Sequence, residues 1–415
     1  MKKTFEFEYR FENQDWKQKI LYWADRKFPF FALCSGNDYS YLHEPFGEFL
    51  FLGHQELDEK SIWEGGFLRA GIIGYDFKNQ IEKLESRNPA ILELPDLCFF
   101  KADWLLNIQS QGFSTSAPFP EDWLKEIESI SFPENPNIRC KVFPQISRDE
   151  YIHHIQNIQQ EILEGNTYEA NFCQAYFGEF QNWDPIAAYL KLNQLSPMPF
   201  ASLFKAEAKW LVSASPERFI KKTGKKLIAQ PIKGTISRGN SPECEISNRE
   251  KLSSSEKERA ENLMITDLMR NDLARVSETG SVEVEELFGI YPLPRVFQMI
   301  STVSSMLREG VSLEEIIQAT FPMGSMTGAP KIITMKILDR EENFKRAWFS
   351  GAFGWIDEEG NFDFSVVIRS IIADLEAKKL YFGVGSAITI DASPEQEYEE
   401  CALKAQAIIE LLLGK

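Results

Sequence analysis

Lys233 stands where a lysine can act as a nucleophile, within Gln230-Pro231-Ile232-Lys233-Gly234-Thr235. Leu227-Ile228-Ala229 enters this stretch as a strand, and Pro231 and Gly234 interrupt regular pairing on either side of the lysine. An amine held in a cavity at strand ends loses hydration, which lowers its pKa and frees the lone pair for attack. The alternative for these six residues alone is a solvated lysine at a turn.

Carboxylates recur at helical spacing further along. Ser253-Ser254-Ser255-Glu256 opens a helix running through Met269, and Glu261 shares a face with its apolar stripe of Met264, Ile265 and Leu268. A carboxylate on such a face must be ion-paired, hydrogen-bonded or bound to a metal, unless it lies near enough to the helix start to reach solvent. Ser393-Pro394-Glu395-Gln396 carries the N-cap and first-turn proline of another helix, on which Glu397, Glu400 and Lys404 follow at i, i+3 and i+7. That trio is either a solvated ion-pair ladder or two hard oxygen ligands for Mg²⁺ beside a cation for an acid group. Two anion-friendly turns lie between the helices. Phe321–Lys331 has Pro330 at a first-turn position, and Lys379–Ala387 reads as a strand running into a glycine turn. Arg369 ends the apolar stretch Phe364–Ile368, where its fork suits a carboxylate. Each of these taken singly also reads as an ordinary loop or surface ion pair.

The elements that position these groups belong to a folded, acidic chain. Of 415 residues, 43% are hydrophobic and 32 are phenylalanine, which implies layers of buried aromatics. Lys+Arg 45 against Asp+Glu 62 gives −17, which disfavours nucleic acid and requires that an anionic substrate be held by locally placed cations. The six cysteines are widely spaced, with no C-x-x-C pair, so neither a zinc site nor a disulfide framework is suggested and a cytoplasmic location fits. No signal-like or membrane-spanning apolar run is expected. Residues 1–107 read as short strands and turns, including Phe30–Cys34 and Phe67–Tyr75, and 108–146 as a connection around one helix at Glu121–Ile130. Ser147-Arg148-Asp149-Glu150 starts a helix that stops at Gly165. His153 and His154 on it diverge by about 100° and read as surface or packing residues rather than ligands of one metal.

In combination and in order, these pieces are specific. Ser215-Pro216-Glu217-Arg218-Phe219, Pro231–Thr235, the fourteen residues Arg259–Asp272, Phe321–Lys331 and Glu397–Glu400 closely resemble the chorismate-utilising enzymes. The resemblance is strong over about 147–415 and loose before it. It implies two parts, an N-terminal sheet-forming part at 1–146 integrated with the core and a catalytic chorismate-binding part at 147–415. It also implies the family's α/β (α+β) fold: two stacked, mostly antiparallel β-sheets flanked by helices, with the active site between them. Pro-Ile-Lys-Gly-Thr marks the aminodeoxychorismate synthase branch, where anthranilate synthases have alanine in place of the lysine. The activity so implied is amination of chorismate at C4 by ammonia in the folate pathway, through a Lys233 adduct at C2. Alternatives are an anthranilate synthase component and a non-catalytic chorismate-binding protein.

The same resemblance implies roles residue by residue. Lys233, Glu217 and Thr235 fall at catalytic positions, with Glu217 as general acid/base. Glu261, Glu397 and Glu400 resemble Mg²⁺ ligands. Arg369, Ser325, Gly328, Gly383, Gly385, Lys404 and Trp355 fall at substrate-binding positions, Trp355 in place of a tyrosine. Ser35, Met198, Pro199 and Phe200 lie where relatives can hold a tryptophan, with plain packing as the alternative. Gln298 replaces a histidine common in relatives, Ala387 replaces a glycine, and Tyr168-Glu169-Ala170-Asn171 lacks the lysine that isochorismate and salicylate synthases use to activate water. No glutaminase segment is recognisable, so ammonia is expected from a separate glutamine amidotransferase subunit.

Overall fold

In the computed structural model, which describes residues 4–239 and 241–414, the apolar run after Pro29 is the strand Phe30–Ser35. All six of its residues are buried, because its two faces meet different cores. Phe30, Ala32 and Cys34 join a cluster with Ile72, Phe99 and Phe353. Phe31 and Leu33 join another with Ile20, Ile155 and Ile186. A strand covered on both faces needs no polar alternation, so it reads as a continuous apolar run.

This strand lies inside a twelve-stranded sheet. Its order is Phe7–Arg10, Gly112–Thr115, Trp104–Gln109, Phe49–Gly53, Phe30–Ser35, Phe200–Ala206, Lys209–Ser215, Ser370–Asp374, Lys379–Ile388, Glu169–Glu179 and Gly328–Ala329, with Phe143–Pro144 pairing Glu169–Glu179. A ten-stranded sheet runs Ile232–Ser237, Val296–Met306, Lys226–Gln230, Arg218–Thr223, Phe362–Val366, Ala352–Ile356, Arg69–Ile73, Leu97–Lys101 and Gln55–Glu56, with Glu283–Pro292 pairing Val296–Met306. The strands pair antiparallel in both sheets. The first cluster draws on both sheets, filling the layer between them and continuing under the helices Glu256–Ala274 and Leu313–Thr320. The second seals the larger sheet's other face under the helices Trp16–Lys27, Arg148–Leu163, Pro185–Leu195 and Pro394–Leu413. The expected stacked, helix-flanked sheets are thus the observed fold. No helix of the described residues is long and apolar enough to cross a membrane.

Local signals held well at helix ends. Ser147 and Glu150 make the reciprocal capping box that starts Arg148–Leu163. The helix Glu121–Ser129 falls where expected. The surrounding connection differs, because Gly112–Thr115 is a strand paired with both Trp104–Gln109 and Phe7–Arg10. Its four residues are too few to show alternation, and Gly112 opens it with φ 153° and no room for a Cβ beside the Tyr9 carbonyl.

Two helices bring acidic faces to the ends of the sheets. Ser255 caps Glu256–Ala274, accepting from the Glu258 N–H, and this helix packs on Val296–Met306 and Ile232–Ser237. Ser393 caps Pro394–Leu413, accepting from the Gln396 N–H, and that helix packs on Lys379–Ile388.

Candidate active site

The strand Ile232–Ser237 changes register against Val296–Met306 between Ile232 and Thr235, so Lys233 and Gly234 form a bulge in the pairing. A bulge re-aims the side chain it carries. Gly234 takes φ 100°, and a Cβ there would press on Met299 and Glu258. The bulge is fastened from the helix side. Asn262 donates from Nδ2 to the carbonyls of Lys233 (3.1 Å) and Met299 (3.2 Å).

Lys233 thereby enters a cavity of about 970 Å³, its open mouth included. Both sheets supply its walls, through Asn171 and Gly383–Gly385 on one side and Glu217, Ile232–Thr235 and Gln298 on the other. The two helices add Lys257, Glu258, Glu261, Glu397, Glu400 and Lys404. The structure therefore brings together Lys233, Glu217, Thr235, Arg369, Ser325, Gly383, Gly385, Lys404, Glu261, Glu397 and Glu400. His153 and His154 lie outside the lining, and His154 hydrogen-bonds Glu341 (3.1 Å).

Two residues expected at the substrate lie outside the lining of this cavity. Trp355 is on Ala352–Ile356, buried in the core between the sheets and outside the cavity lining. Gly328 also lies outside it. Gly328 pairs with Ala170, and its φ of 141° lets it pass a backbone carbonyl (Glu169) that a Cβ would meet at 2.0 Å. The expected glycine turn is likewise a continuous strand, Lys379–Ile388. Gly383 leaves room for the Phe349 ring and Gly385 for the Cys173 Sγ. Beyond Tyr381 the strand's other edge is unpaired among the described residues, which is the edge a ligand could meet.

The expected tryptophan-pocket residues also separate. Ser35 lines a different cavity with Leu33, Asn37, Glu48 and Tyr189, but Met198, Pro199 and Phe200 do not. Within it, the Ser35 hydroxyl (2.8 Å) and the Gly36 amide (2.7 Å) donate to one oxygen of Glu48. Phe200 instead packs edge-on against Phe46 in the core between the sheets.

Electrostatics inside the cavity reverse one expectation. Desolvation does pull the Lys233 amine down, but Glu169, Glu261 and Glu217 outweigh it and the pKa is pushed up to about 12. Lys233 Nζ lies 2.7 Å from Glu169 Oε1, with the two side chains 10% and 1% exposed. The local stretch around Lys233 gives no sign of these carboxylates, which arrive from other elements.

Glu217 is the buried acid of the site. Loss of hydration raises its carboxyl to about 7, against the Ser325 hydroxyl, the Ile232 amide, Lys233 and Lys404. Ser325 Oγ donates to Glu217 Oε1 at 2.7 Å, so in this state the serine serves the acid. Glu261 is also raised to about 7, by burial first and further by Glu169 and Glu258, with Lys233 and Lys257 opposing. Burial and Glu400 raise Glu397 too. Glu400 is lowered: burial acts upward, but Lys404, 2.6 Å away, prevails. The same Lys404 donates to the Gly385 carbonyl (2.9 Å). Arg369 sits at φ 52°, its guanidinium makes no hydrogen bond or ion pair with a described residue, and burial lowers its pKa.

Lys257 bridges Glu261 and Glu397, two of the three carboxylates expected to hold a metal. Its Nζ stands 3.8 Å from Glu261 Oε1 and 3.7 Å from Glu397 Oε1. That Glu261 oxygen is buried without a hydrogen-bond partner. Among the described residues no group of three or more His, Cys, Asp or Glu side chains is placed to hold a metal by itself. One buried carboxylate, Glu397, and one partly buried, Glu261, held around a cation fit Mg²⁺, which takes one or two protein carboxylates and fills the rest of its shell with water and substrate oxygens. Lys257 and Glu258 precede Glu261 by one turn, so helical spacing from Glu261 would have found them. Glu169 carried no such signal.

A family described as chorismate binding enzyme matches residues 14–410. Aminodeoxychorismate synthase component 1 of Escherichia coli (strain K12) is 34% identical over 356 residues, 84% of this chain and 77% of that protein. The chloroplastic aminodeoxychorismate synthase of Arabidopsis thaliana is 35% identical over 409 residues, 90% of this chain, which spans 44% of that relative's length. Among solved structures, anthranilate synthase component I from Streptococcus pneumoniae superposes with a TM-score of 0.72 at 20% identity, covering 99% of this chain and 91% of that one. The menaquinone-specific isochorismate synthase of Escherichia coli gives 0.76 at 14%, covering 99% and 95%. At those identities the two structures establish the shared fold.

Proposed function

Because the chain belongs to the chorismate-binding enzyme family, we propose that it is the chorismate-aminating component of an aminodeoxychorismate synthase. The product would be 4-amino-4-deoxychorismate, the precursor of p-aminobenzoate in folate synthesis. The observation that carries this reading is a lysine, Lys233, its side chain 10% exposed, re-aimed by a bulge into a cavity where Glu217 holds a proton near neutral pH. The named relatives from Escherichia coli and Arabidopsis thaliana support it.

The chemistry divides one displacement into two. The Lys233 amine attacks C2 of chorismate, and Glu217 gives its proton to the C4 hydroxyl as it departs. Ammonia then attacks C4 and expels the lysine, so nitrogen remains at C4 instead of at C2. Arg369, without a hydrogen-bond or ion-pair partner among the described residues and lining the cavity, holds the enolpyruvyl carboxylate beside the open strand edge at Gly383 and Gly385. Glu261 and Glu397, with Glu400 released from Lys404, are the residues to hold Mg²⁺. When bound there, the ion neutralises the ring carboxylate of chorismate. A glutamine amidotransferase subunit supplies the ammonia in the cell.

The test is incubation of the purified chain with chorismate, Mg²⁺ and ammonium, with product identification and Lys233→Ala in parallel. Formation of 4-amino-4-deoxychorismate that collapses in the variant is the expected result. Anthranilate as product, or full activity without the lysine, would refute the assignment. Chorismate binding without turnover would leave a binding protein.

A further inference from the structure

We propose that Glu169 is the catalytic base that takes a proton from Lys233 before attack and returns it when the lysine is expelled. This rests on the two-step reading above, and it addresses what that reading leaves open: an ammonium has no lone pair, and Lys233 faces Glu169, Glu261, Glu217, Glu258 and Glu400, which favour the ammonium.

Of these groups, Glu169 is placed to accept. Its Oε1 lies 2.7 Å from Lys233 Nζ, and among the described residues neither carboxylate oxygen has another partner. Glu217 is engaged by Ser325 and by the Ile232 amide, and its proton is assigned to the C4 hydroxyl. Glu261 and Glu400 have Lys257 and Lys404 as neighbours. Glu169 is also rigidly mounted. It pairs with Ala329, its carbonyl accepts from Thr167 Oγ1 (3.1 Å), and Gly328 packs against that carbonyl too closely for any side chain. A proton passing between this acid and this amine leaves the net charge of the pair unchanged. The transfer therefore suits a dry site where separating new charge would be costly.

The steps balance. The proton moves from Nζ to a Glu169 oxygen, and the Nζ lone pair forms the bond to C2. Ring π electrons shift towards C4, the C4–O bond breaks, and the hydroxyl leaves as water with the Glu217 proton. The lone pair of ammonia then forms the C4–N bond, the π electrons shift back, and the Nζ–C2 bond breaks with its pair going to Nζ. The new C4 ammonium returns one proton to Glu217, and Glu169 returns its proton to Lys233.

Glu169→Gln in the full chain tests this with two readouts. The first needs no substrate: modification of Lys233 by trinitrobenzenesulfonate near pH 9, followed by peptide mass spectrometry. Without the neighbouring carboxylate the lysine is more often neutral, and labelling should rise about tenfold or more, one pKa unit's worth. Unchanged labelling would overturn the coupling. The second is formation of the Lys233–chorismate adduct, measured by intact mass without ammonium. Wild type should react with little pH dependence between about pH 7 and 9, whereas the variant should be slow at pH 7 and gain about tenfold per pH unit as solvent removes the proton. A uniform loss at every pH would assign Glu169 to positioning alone and overturn the proposal. Glu169→Asp, which keeps a carboxylate, should restore the flat profile at reduced rate. If wild type forms neither adduct nor aminated product, the functional reading fails, while the labelling readout still decides whether Glu169 governs the lysine.

Discussion

Replacing Glu217 by glutamine should stabilise the folded protein at alkaline pH while abolishing its acid. Burial pushes this carboxyl from its ordinary 4.5 to about 7 despite four opposing neighbours. Below 4.5 the group is neutral whether the chain is folded or not. Between 4.5 and about 7 the folded protein keeps a proton that the unfolded chain has released, so stability falls as pH rises, and above about 7 the loss is complete. At about 1.4 kcal/mol per unit, the interval amounts to roughly 3 kcal/mol. An amide has no such proton to lose, and its oxygen still accepts from Ser325. Urea unfolding of Glu217→Gln and wild type, with a chelator present, should give a stability gap that moves in the variant's favour by roughly 2–3 kcal/mol between about pH 5 and pH 8.5. Glu261, also near 7, acts alike in both proteins and cancels in the difference. A gap that stays constant with pH, or that moves towards wild type, would refute the buried-acid assignment.

Other perturbations probe the same site. Ser325→Ala removes the donor that favours ionised Glu217, so the limb of the rate profile governed by Glu217 should move up by about one pH unit; a downward move would contradict the geometry. Lys257→Ala removes the cation lying between Glu261 and Glu397, and calorimetric Mg²⁺ affinity without chorismate should tighten several-fold; weakening would mean that Lys257 helps to build the metal site. Gly328→Ala sets a Cβ 2.0 Å from the Glu169 carbonyl at φ 141°, which should cost at least about 2 kcal/mol and lower the melting temperature. An unchanged melt would show that the two strands can part there without cost.

The sequence by itself determined the local devices and singled out the candidate residues for chemistry. The Ser147 capping box, the Ser255 and Ser393 caps, and the pairing break at Lys233 and Gly234 are short-range effects, set by residues a few positions apart. Helical spacing likewise put Glu397, Glu400 and Lys404 on one face, and all three line the cavity. What failed was anything that depended on the surroundings. Trp355 was expected at the substrate but lies outside the cavity lining, on the same strand face as Phe353, which packs against Phe204 of the larger sheet. Gly383 and Gly385 read as a turn, yet they are strand residues that make room for Phe349 and Cys173.

The charge state of Lys233 is the clearest case. Its own stretch predicts an amine made neutral by desolvation, and burial does act in that direction. Tertiary structure brings Glu169 from the other sheet and Glu261 from a helix within reach, and their attraction prevails. A pKa is set by charges within a few ångströms in space, whatever their distance along the chain. The sequence could therefore single out Lys233, but only the folded arrangement decided its charge state and which carboxylate stands closest to it.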